Sequence, residues 1–460
     1  VQSIFAIAAL TWKAALRFKL FLVIAVLLVM SVVVLPIIIQ DDGTAEGFTQ
    51  IILTYTLSTI TALLGLSTLW LACGTLARDI EECQIQVVAT KPVARWQIWL
   101  GKWLGIVTLN IVLLALAGGS VFLLLQWRVA QKPAAVQQTL RSQILVARGS
   151  AKEASSDAEI QADTDRILAA RLKSTPVDAV DVPEVRKQIL EQVRGDYQLV
   201  PPSYERIWKI DLGAVKDRLH GKPLQFRFKF NSAQNSGGTF DGIWNVGDPP
   251  KTAAWETNTI SLATDTFHEI AVPPDLLDDH GILTVTFVNP NNTSLLFPLG
   301  DGFEVLYPDG GFALNFARGL GIIFCWMALL AALGLAAASC LSFPVATFFA
   351  LGMMAVVLSA GTLSDSIENG SVAAGNEEKG IAGHSVMDVV LIPAFKGILK
   401  VVNFIRDFSP IDALSTGRSI TWGELGLAFL QIVVVMGGIL AVAGIALLAR
   451  RELATAQGTQ

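Results

Sequence analysis

The chain has 460 residues, of which 52% are hydrophobic and only 16% charged, with a net charge of −5. A mean hydropathy of +0.54 is too apolar for an ordinary soluble protein and marks an integral membrane protein. The balance is not basic enough for a nucleic-acid partner; the lipid bilayer is the expected surrounding.

Crossing about 30 Å of hydrocarbon takes roughly 20 apolar residues. Six stretches meet that length, near 20–39, 49–77, 104–126, 315–338, 343–362 and 425–448. Before the first, Ile4, Phe5, Ile7, Ala8, Leu10 and Trp12 with Lys13 read as a short interfacial helix on the inner surface, Trp12 at headgroup level. The first stretch is longer than a secretion-signal core, and Leu35-Pro36-Ile37-Ile38-Ile39-Gln40 offers no small-x-small cleavage site, so it is expected to remain in the membrane. The fourth and fifth stretches are separated only by Ser339-Cys340-Leu341-Ser342-Phe343-Pro344, which suits a tight hairpin turn.

Basic residues near the spans set the orientation. Lys13, Arg17 and Lys19, then Arg78, Lys91, Arg95 and Lys102, then Arg450 and Arg451 fall on one side if there are six spans. The loop Gln40–Phe48 holds Asp41, Asp42 and Glu46 with no basic residue, in agreement. The stretch before the last span disagrees, with Lys379, Lys396, Lys400, Arg406 and Arg418. A seventh span at 386–405 would bury Asp388, Lys396 and Lys400 at about 3 kcal/mol each, so a re-entrant or interfacial helix is preferred there.

Residues 127–312 are polar enough to form a domain of their own, and span parity places it outside the cytoplasm. Val136, Leu140, Ile144 and Leu145 recur at helical spacing, as do Ile160, Ile167, Leu168 and Leu172, then Val185, Ile189, Leu190 and Val193 after Pro183-Glu184. They predict a helical stalk over 127–203. From Tyr204 the period becomes two: Leu224-Gln225-Phe226-Arg227-Phe228-Lys229-Phe230 and Leu283-Thr284-Val285-Thr286-Phe287 alternate as half-buried antiparallel strands do. Turn clusters at 235–238, 247–250, 273–275 and 289–292 complete the signature of a jelly-roll-like β-sandwich over 204–312. The fold class is thus a polytopic α-helical membrane protein of six spans, with an inserted α+β extracytoplasmic domain. Residues 1–126 and 313–460 form its two membrane halves, and residues 78–103 a loop within the first half.

Little catalytic chemistry is visible. No phosphate-binding loop occurs, since Gly101-Lys102 has Trp96 where the first glycine belongs, so this chain is not expected to hydrolyse ATP. His220, His268, His280 and His384 are scattered, and Cys73, Cys83, Cys325 and Cys340 match no zinc spacing and read as packing residues. Asn110 and Gln431 are isolated polar residues in spans and are expected to tie helices together. Trp208, Trp244 and Trp255 read first as core and second as a stacking face for glycan.

The informative segment is 78–102. Glu81 and Glu82 suit the start of a short helix over 80–89, Pro92 ends it at a defined angle, and Lys91 and Arg95 complement its far end. Arg78-Asp79 with the two glutamates, Thr90-Lys91-Pro92-Val93-Ala94-Arg95, and Gly101-Lys102 together resemble the loop between the second and third spans of type-2 ATP-binding-cassette permeases. Phe408-Ser409-Pro410-Ile411-Asp412-Ala413-Leu414 with Gly417-Arg418 and Trp422 also resembles the approach to the last helix of that family. Cys83 stands where a glycine is common, and the resemblance covers the spans and their loops but not the inserted domain.

The resemblance implies the permease subunit of a bacterial inner-membrane exporter, paired with a second copy or a related permease and with separate ATPase subunits that bind ATP and Mg. Arg78, Asp79, Glu81, Glu82, Lys91, Pro92, Arg95, Gly101 and Lys102 would couple to the ATPase, and Pro393, Lys396 and Pro410 are candidate gate residues. No cofactor is expected in the chain. The alternative is a membrane-anchored envelope binding protein whose sandwich takes glycan or a protein partner.

Overall fold

Four helices are long and apolar enough to cross a membrane, Gln50–Glu81, Arg95–Ala130, Phe312–Cys340 and Trp422–Arg450, in keeping with a membrane protein. They belong to a computed structural model that describes residues 2–17, 23–24, 26–31, 34, 45–82, 93–141, 145–174, 182–233, 238–249, 251–358, 393, 396–397, 399–400 and 408–451. Of the stretch at 20–39, only 23–24, 26–31 and 34 are described, and these are helical. The stretch at 343–362 gives a described helix of 16 residues, short for a span. Against six expected spans, the described residues thus supply four of span length and one shorter apolar helix.

Contacts divide the chain into two compact units, residues 1–146 with 311–460, and residues 147–310. The first unit opens with α1 (Gln2–Arg17), α2 (Ala45–Glu81), α3 (Arg95–Ala130) and the short α4 (Ala134–Thr139). Helix α1 packs along α3 through small residues. A Cβ at Gly101 would meet Ile7 Cβ at 2.8 Å, and one at Gly105 would meet Thr11 Cβ at 2.7 Å and the Ala8 carbonyl at 2.9 Å. Glycines four apart on one helix face let two backbones approach this closely, which substitutes packing for the weak hydrophobic drive between helices in lipid. Trp12, expected among headgroups, donates its indole N–H to Thr108 Oγ1 at 2.9 Å.

The second unit begins on β1 (Val146–Ala151), within the stretch expected to be helical, and continues into the helices α5 (Asp157–Ser174) and α6 (Val182–Gln198). Helices α5 and α6 pack through Ile160, Ile189 and Val193, positions that the helical spacing had placed on one face. Asp157 and Glu159 lie in the first turn of α5 and Arg171 and Lys173 in its last, the arrangement the helix dipole favours. Then follow β2 (Leu199–Val200), β3 (Glu205–Asp211), the single turn α7 (Lys216–Leu219), β4 (Leu224–Phe228), β5 (Asn231–Ser232), β6 (Thr239–Val246), β7 (Trp255–Glu256), β8 (Ile260–Ala263), β9 (His268–Val272), β10 (Ile282–Val288), β11 (Leu295–Leu296) and β12 (Phe303–Gly311).

The strands form sheets in the orders β1-β12-β4-β9, β3-β10-β6-β7 with β8 on β6, and β2-β11-β5. Phe226 and Phe228 of β4, with Phe303 and Val305 of β12, face Trp208 and Ile210 of β3, Val285 and Phe287 of β10, and Trp244 of β6 in one core. The two-residue period puts these side chains inward and Arg227, Thr284 and Thr286 on the opposite faces. The buried Asn289 organises the turn after β10: its amide donates to the Val200, Pro201 and Thr293 carbonyls at 3.0, 3.2 and 2.9 Å. Gly247 has φ 111° after β6, a backbone only glycine adopts freely, and so turns the chain toward β7.

The chain then returns to the first unit with α8 (Phe312–Cys340), α9 (Phe343–Leu358), α10 (Pro410–Ser415), α11 (Trp422–Ala428) and α12 (Gly437–Arg450). Only Leu341 and Ser342 separate α8 from α9, the hairpin turn that the sequence predicts. Thr421 and Glu424 form a reciprocal capping box at the start of α11, at 3.1 and 2.7 Å. Residues Phe429–Met436 between α11 and α12 are π-helical, and Gln431 lies in them. Gly334 of α8 sits against Ala72 of α2, where a Cβ would come within 2.6 Å of the Ala72 Cβ. Asn110 of α3 does tie helices: its Oδ1 lies 3.0 Å from the Thr68 hydroxyl of α2.

Candidate coupling site

The C-terminal end of α2 and the N-terminal end of α3 bracket residues 83–92, so Lys91, Pro92 and Cys83 lie outside the described residues. Of the remaining predicted residues, Arg78 and Glu81 meet the start of α9 and Arg95 meets the end of α12. Glu81 Oε1 accepts the Phe343 backbone N–H at 2.8 Å, so a carboxylate from the first half caps the positive end of α9. Arg78 stacks its guanidinium 4.5 Å above the Phe343 ring, whose other contact is the edge of Trp70 at 5.4 Å between ring centres. Glu82 donates its backbone N–H to the Arg78 carbonyl at 2.8 Å and closes the last turn of α2.

On the α3 side, Arg95 Nη1 faces three carbonyls at the C-terminus of α12: Leu448 and Ala449 at 2.7 Å, and Arg451 at 3.0 Å. These are acceptors that no helix can satisfy internally, and a cation there also matches the dipole. Arg451 in turn reaches the Ser339 carbonyl near the end of α8, at 3.4 Å. Lys102, 6% exposed, pairs with Asp79 Oδ2 at 2.5 Å and donates to the Thr75 carbonyl at 2.9 Å. That pair joins the last turn of α2 to α3 about two turns from its start. Gly101, named with Lys102 for coupling, is the point where α1 crosses α3.

The candidate gate residues fall in two stretches, 393–396 and the start of α10. Pro410 occupies the first turn of α10, where its missing N–H costs nothing, and is buried. Pro393 and Lys396 are helical and exposed, and much of 386–405 lies outside the described residues.

Several residues without a role in the sequence reading matter to the structure. Asn315 of α8, fully buried, donates to the Arg418 carbonyl at 2.6 Å and accepts from the Ile420 N–H at 2.7 Å, pinning the approach to α11. In the second unit Arg148 of β1 binds both carboxylate oxygens of Glu269 on β9, at 2.7 and 3.1 Å, and also bonds Gln225 of β4. Arg227 of β4 pairs with Glu304 of β12 at 3.1 Å, and Glu304 accepts from Ser150 at 2.6 Å. These side chains come from strands up to 154 positions apart, which sequence spacing cannot reveal.

Other candidates resolve as packing. Trp208 and Trp244 are core residues stacked 5.8 Å apart, so neither offers a face to glycan. His268 Nε2 lies 2.8 Å from the Ala263 carbonyl and 3.0 Å from Thr266 Oγ1, and no cluster of three metal-ligating side chains occurs among the described residues. Cys73 and Cys325 are buried free thiols. Burial raises the Glu153 carboxyl above its ordinary value of 4.5 against the opposing charge of Arg206, whose own value burial lowers. No family model matches the chain, and neither a curated protein nor a solved structure matches it.

Proposed function

We propose that the chain is the permease subunit of an ATP-binding-cassette exporter of the type-2 class, with ATP and Mg bound by a separate ATPase subunit. The observation that carries this reading is the double attachment of the segment between α2 and α3. Its first end is fixed to α9 through Glu81, and its second to α12 through Arg95. A push on residues 83–92 from a cytoplasmic partner would therefore reach helices of both halves at once. Glu81 and Arg95 then act inside the chain as transmitters, while the residues between them meet the ATPase.

In this reading the clamped end faces the cytoplasm and residues 147–310 lie outside it, at a bacterial inner membrane. The last span is 22% buried by its own chain, against 72% for Gln50–Glu81, which leaves it free to face lipid or a second permease. Purification of the tagged chain with its ATPase, followed by ATPase assay in vesicles, tests the proposal. Glu81→Gln with Arg95→Ala should leave the complex assembled and lower ATPase-driven transport at least tenfold. Failure of any ATPase to co-purify, or unchanged transport in the double variant, refutes it.

A further inference from the structure

Arg318 of α8 sits at the opposite end of the helix bundle from the coupling cluster. It is 7% exposed, yet no carboxylate among the described residues lies within ion-pairing distance of it. Its one hydrogen bond there is a long one, from Nε to the Leu314 carbonyl of its own helix at 3.4 Å. A guanidinium carries five N–H donors, so most of its capacity is unspent. Its other contact is the ring of Trp422, 5.6 Å from Cζ to the ring centre.

Depth makes this cation informative. Helix α8 has 29 residues and so is about 43 Å long, which exceeds the roughly 30 Å of hydrocarbon by about 6 Å at each end if it is centred. Arg318 lies six positions into the helix, about 9 Å, which in a centred span would put its backbone just inside the apolar boundary, with a stem long enough to reach the headgroups. Trp422, 63% exposed at the first turn of α11, lies at the same end of the bundle, and an exposed indole suits a headgroup layer. A cation in an apolar span is unfavourable by about 3 kcal/mol at the bilayer centre and less near the interface, a penalty a bound anion reduces.

The surrounding backbone is rigid. The Asn315 amide fixes residues 418 and 420, and Gly319 and Gly321 of α8 let Leu414, Ile420 and Leu425 close against it. The backbone that carries Trp422 is therefore fixed against α8, with the indole ring beside the Arg318 guanidinium. A planar fork next to an indole, fixed at the depth where phosphates are the prevailing anions, matches a tetrahedral oxyanion.

We propose that Arg318 and Trp422 form a binding site for a phosphate group, carried by a lipid head or free in solution. This does not rest on the transport reading. The test uses the full chain in neutral detergent and native mass spectrometry, with phosphatidylglycerol, diacylglycerol and inorganic phosphate as probes. Phosphatidylglycerol should be retained over diacylglycerol, and Arg318→Gln should weaken retention about tenfold.

Retention that inorganic phosphate cannot displace assigns the site to lipid, and displacement by inorganic phosphate assigns it to a soluble phosphate. Both outcomes support the proposal. Equal retention of both lipids, with no Arg318-dependent binding of inorganic phosphate, overturns it. Arg318→Lys preserves charge and stem, and should lose two- to threefold; if the glutamine variant does not fold, wild-type retention in the lysine variant overturns the proposal instead.

Discussion

Removing the Arg95 side chain, as Arg95→Ala, should loosen the last turn of α12 without touching the middle of that helix. One nitrogen faces three carbonyls within 3.0 Å, but Nη1 carries two hydrogens, so at most two charge-assisted bonds form at once. In a half-exposed setting each such bond contributes about 1 kcal/mol after competition with water, and the cation at the helix terminus adds about 0.3 kcal/mol. The sum, about 2 kcal/mol, is a change of about 30-fold in the population of the frayed turn. Hydrogen exchange on the purified chain, followed in peptides covering Leu447–Arg450, should accelerate by that factor, while peptides from α3 and the middle of α12 keep their rates. Arg95→Lys should recover part of the protection, since an ammonium reaches the same carbonyls with poorer geometry. Equal exchange in the alanine variant and the parent would show that the three contacts contribute nothing and would refute the argument that Arg95 ties α3 to α12.

Three further outcomes follow from other contacts. Gly105→Val should displace α1, because the added atoms meet the Ala8 carbonyl and Thr11; the loss is about 1–3 kcal/mol, read as faster exchange in α1, whereas Gly119→Ala, with open space around its Cβ, should leave α1 unchanged. Glu304→Ala takes from Arg227 its nearer carboxylate, leaving Glu269 at 4.0 Å, and takes from Ser150 its acceptor at a site 1% exposed, so the second unit should lose about 3 kcal/mol and melt roughly 10 °C lower in the intact chain by calorimetry. Because burial raises the Glu153 carboxyl, its share of stability is complete below the ordinary value of 4.5 and is lost as pH rises through the higher folded value; Glu153→Gln should therefore match the parent near pH 4 and exceed it near pH 8 in denaturant melts.

Long apolar runs and two-residue alternation were legible because both periods are local properties of the chain. Ile160, Ile189 and Val193 pack as their helical spacing predicts, and Phe226 and Phe228 point inward as their alternation predicts. The start of the second unit was not legible. Leu140 and Leu145 share a helical spacing with Val136, yet the chain turns into β1 at Val146, because pairing with β12 some 160 positions later decides its conformation.

The segment between α2 and α3 shows the same division. Its charges stand out in the sequence, but the partners of Glu81 and Arg95 lie 262 and 353 positions away, so the attachments themselves could not be read. Arg318 gave no signal either. A single arginine near the start of an apolar helix looks like an ordinary flank until its described neighbours are seen to offer it a tryptophan ring rather than a carboxylate.

The neighbouring placement of β1 and β12 has a consequence for how such a chain is assembled over evolutionary time. A Cβ at Gly310 would lie 3.9 Å from the Ala147 Cβ, so the inserted unit begins and ends at nearly one point. A module whose termini coincide can be spliced into a short loop of a host without stretching it, and its removal requires only a few linking residues. The 147–310 unit is thus a cassette, free to change its surface by mutation, replacement or loss while the helices that receive it keep their own packing.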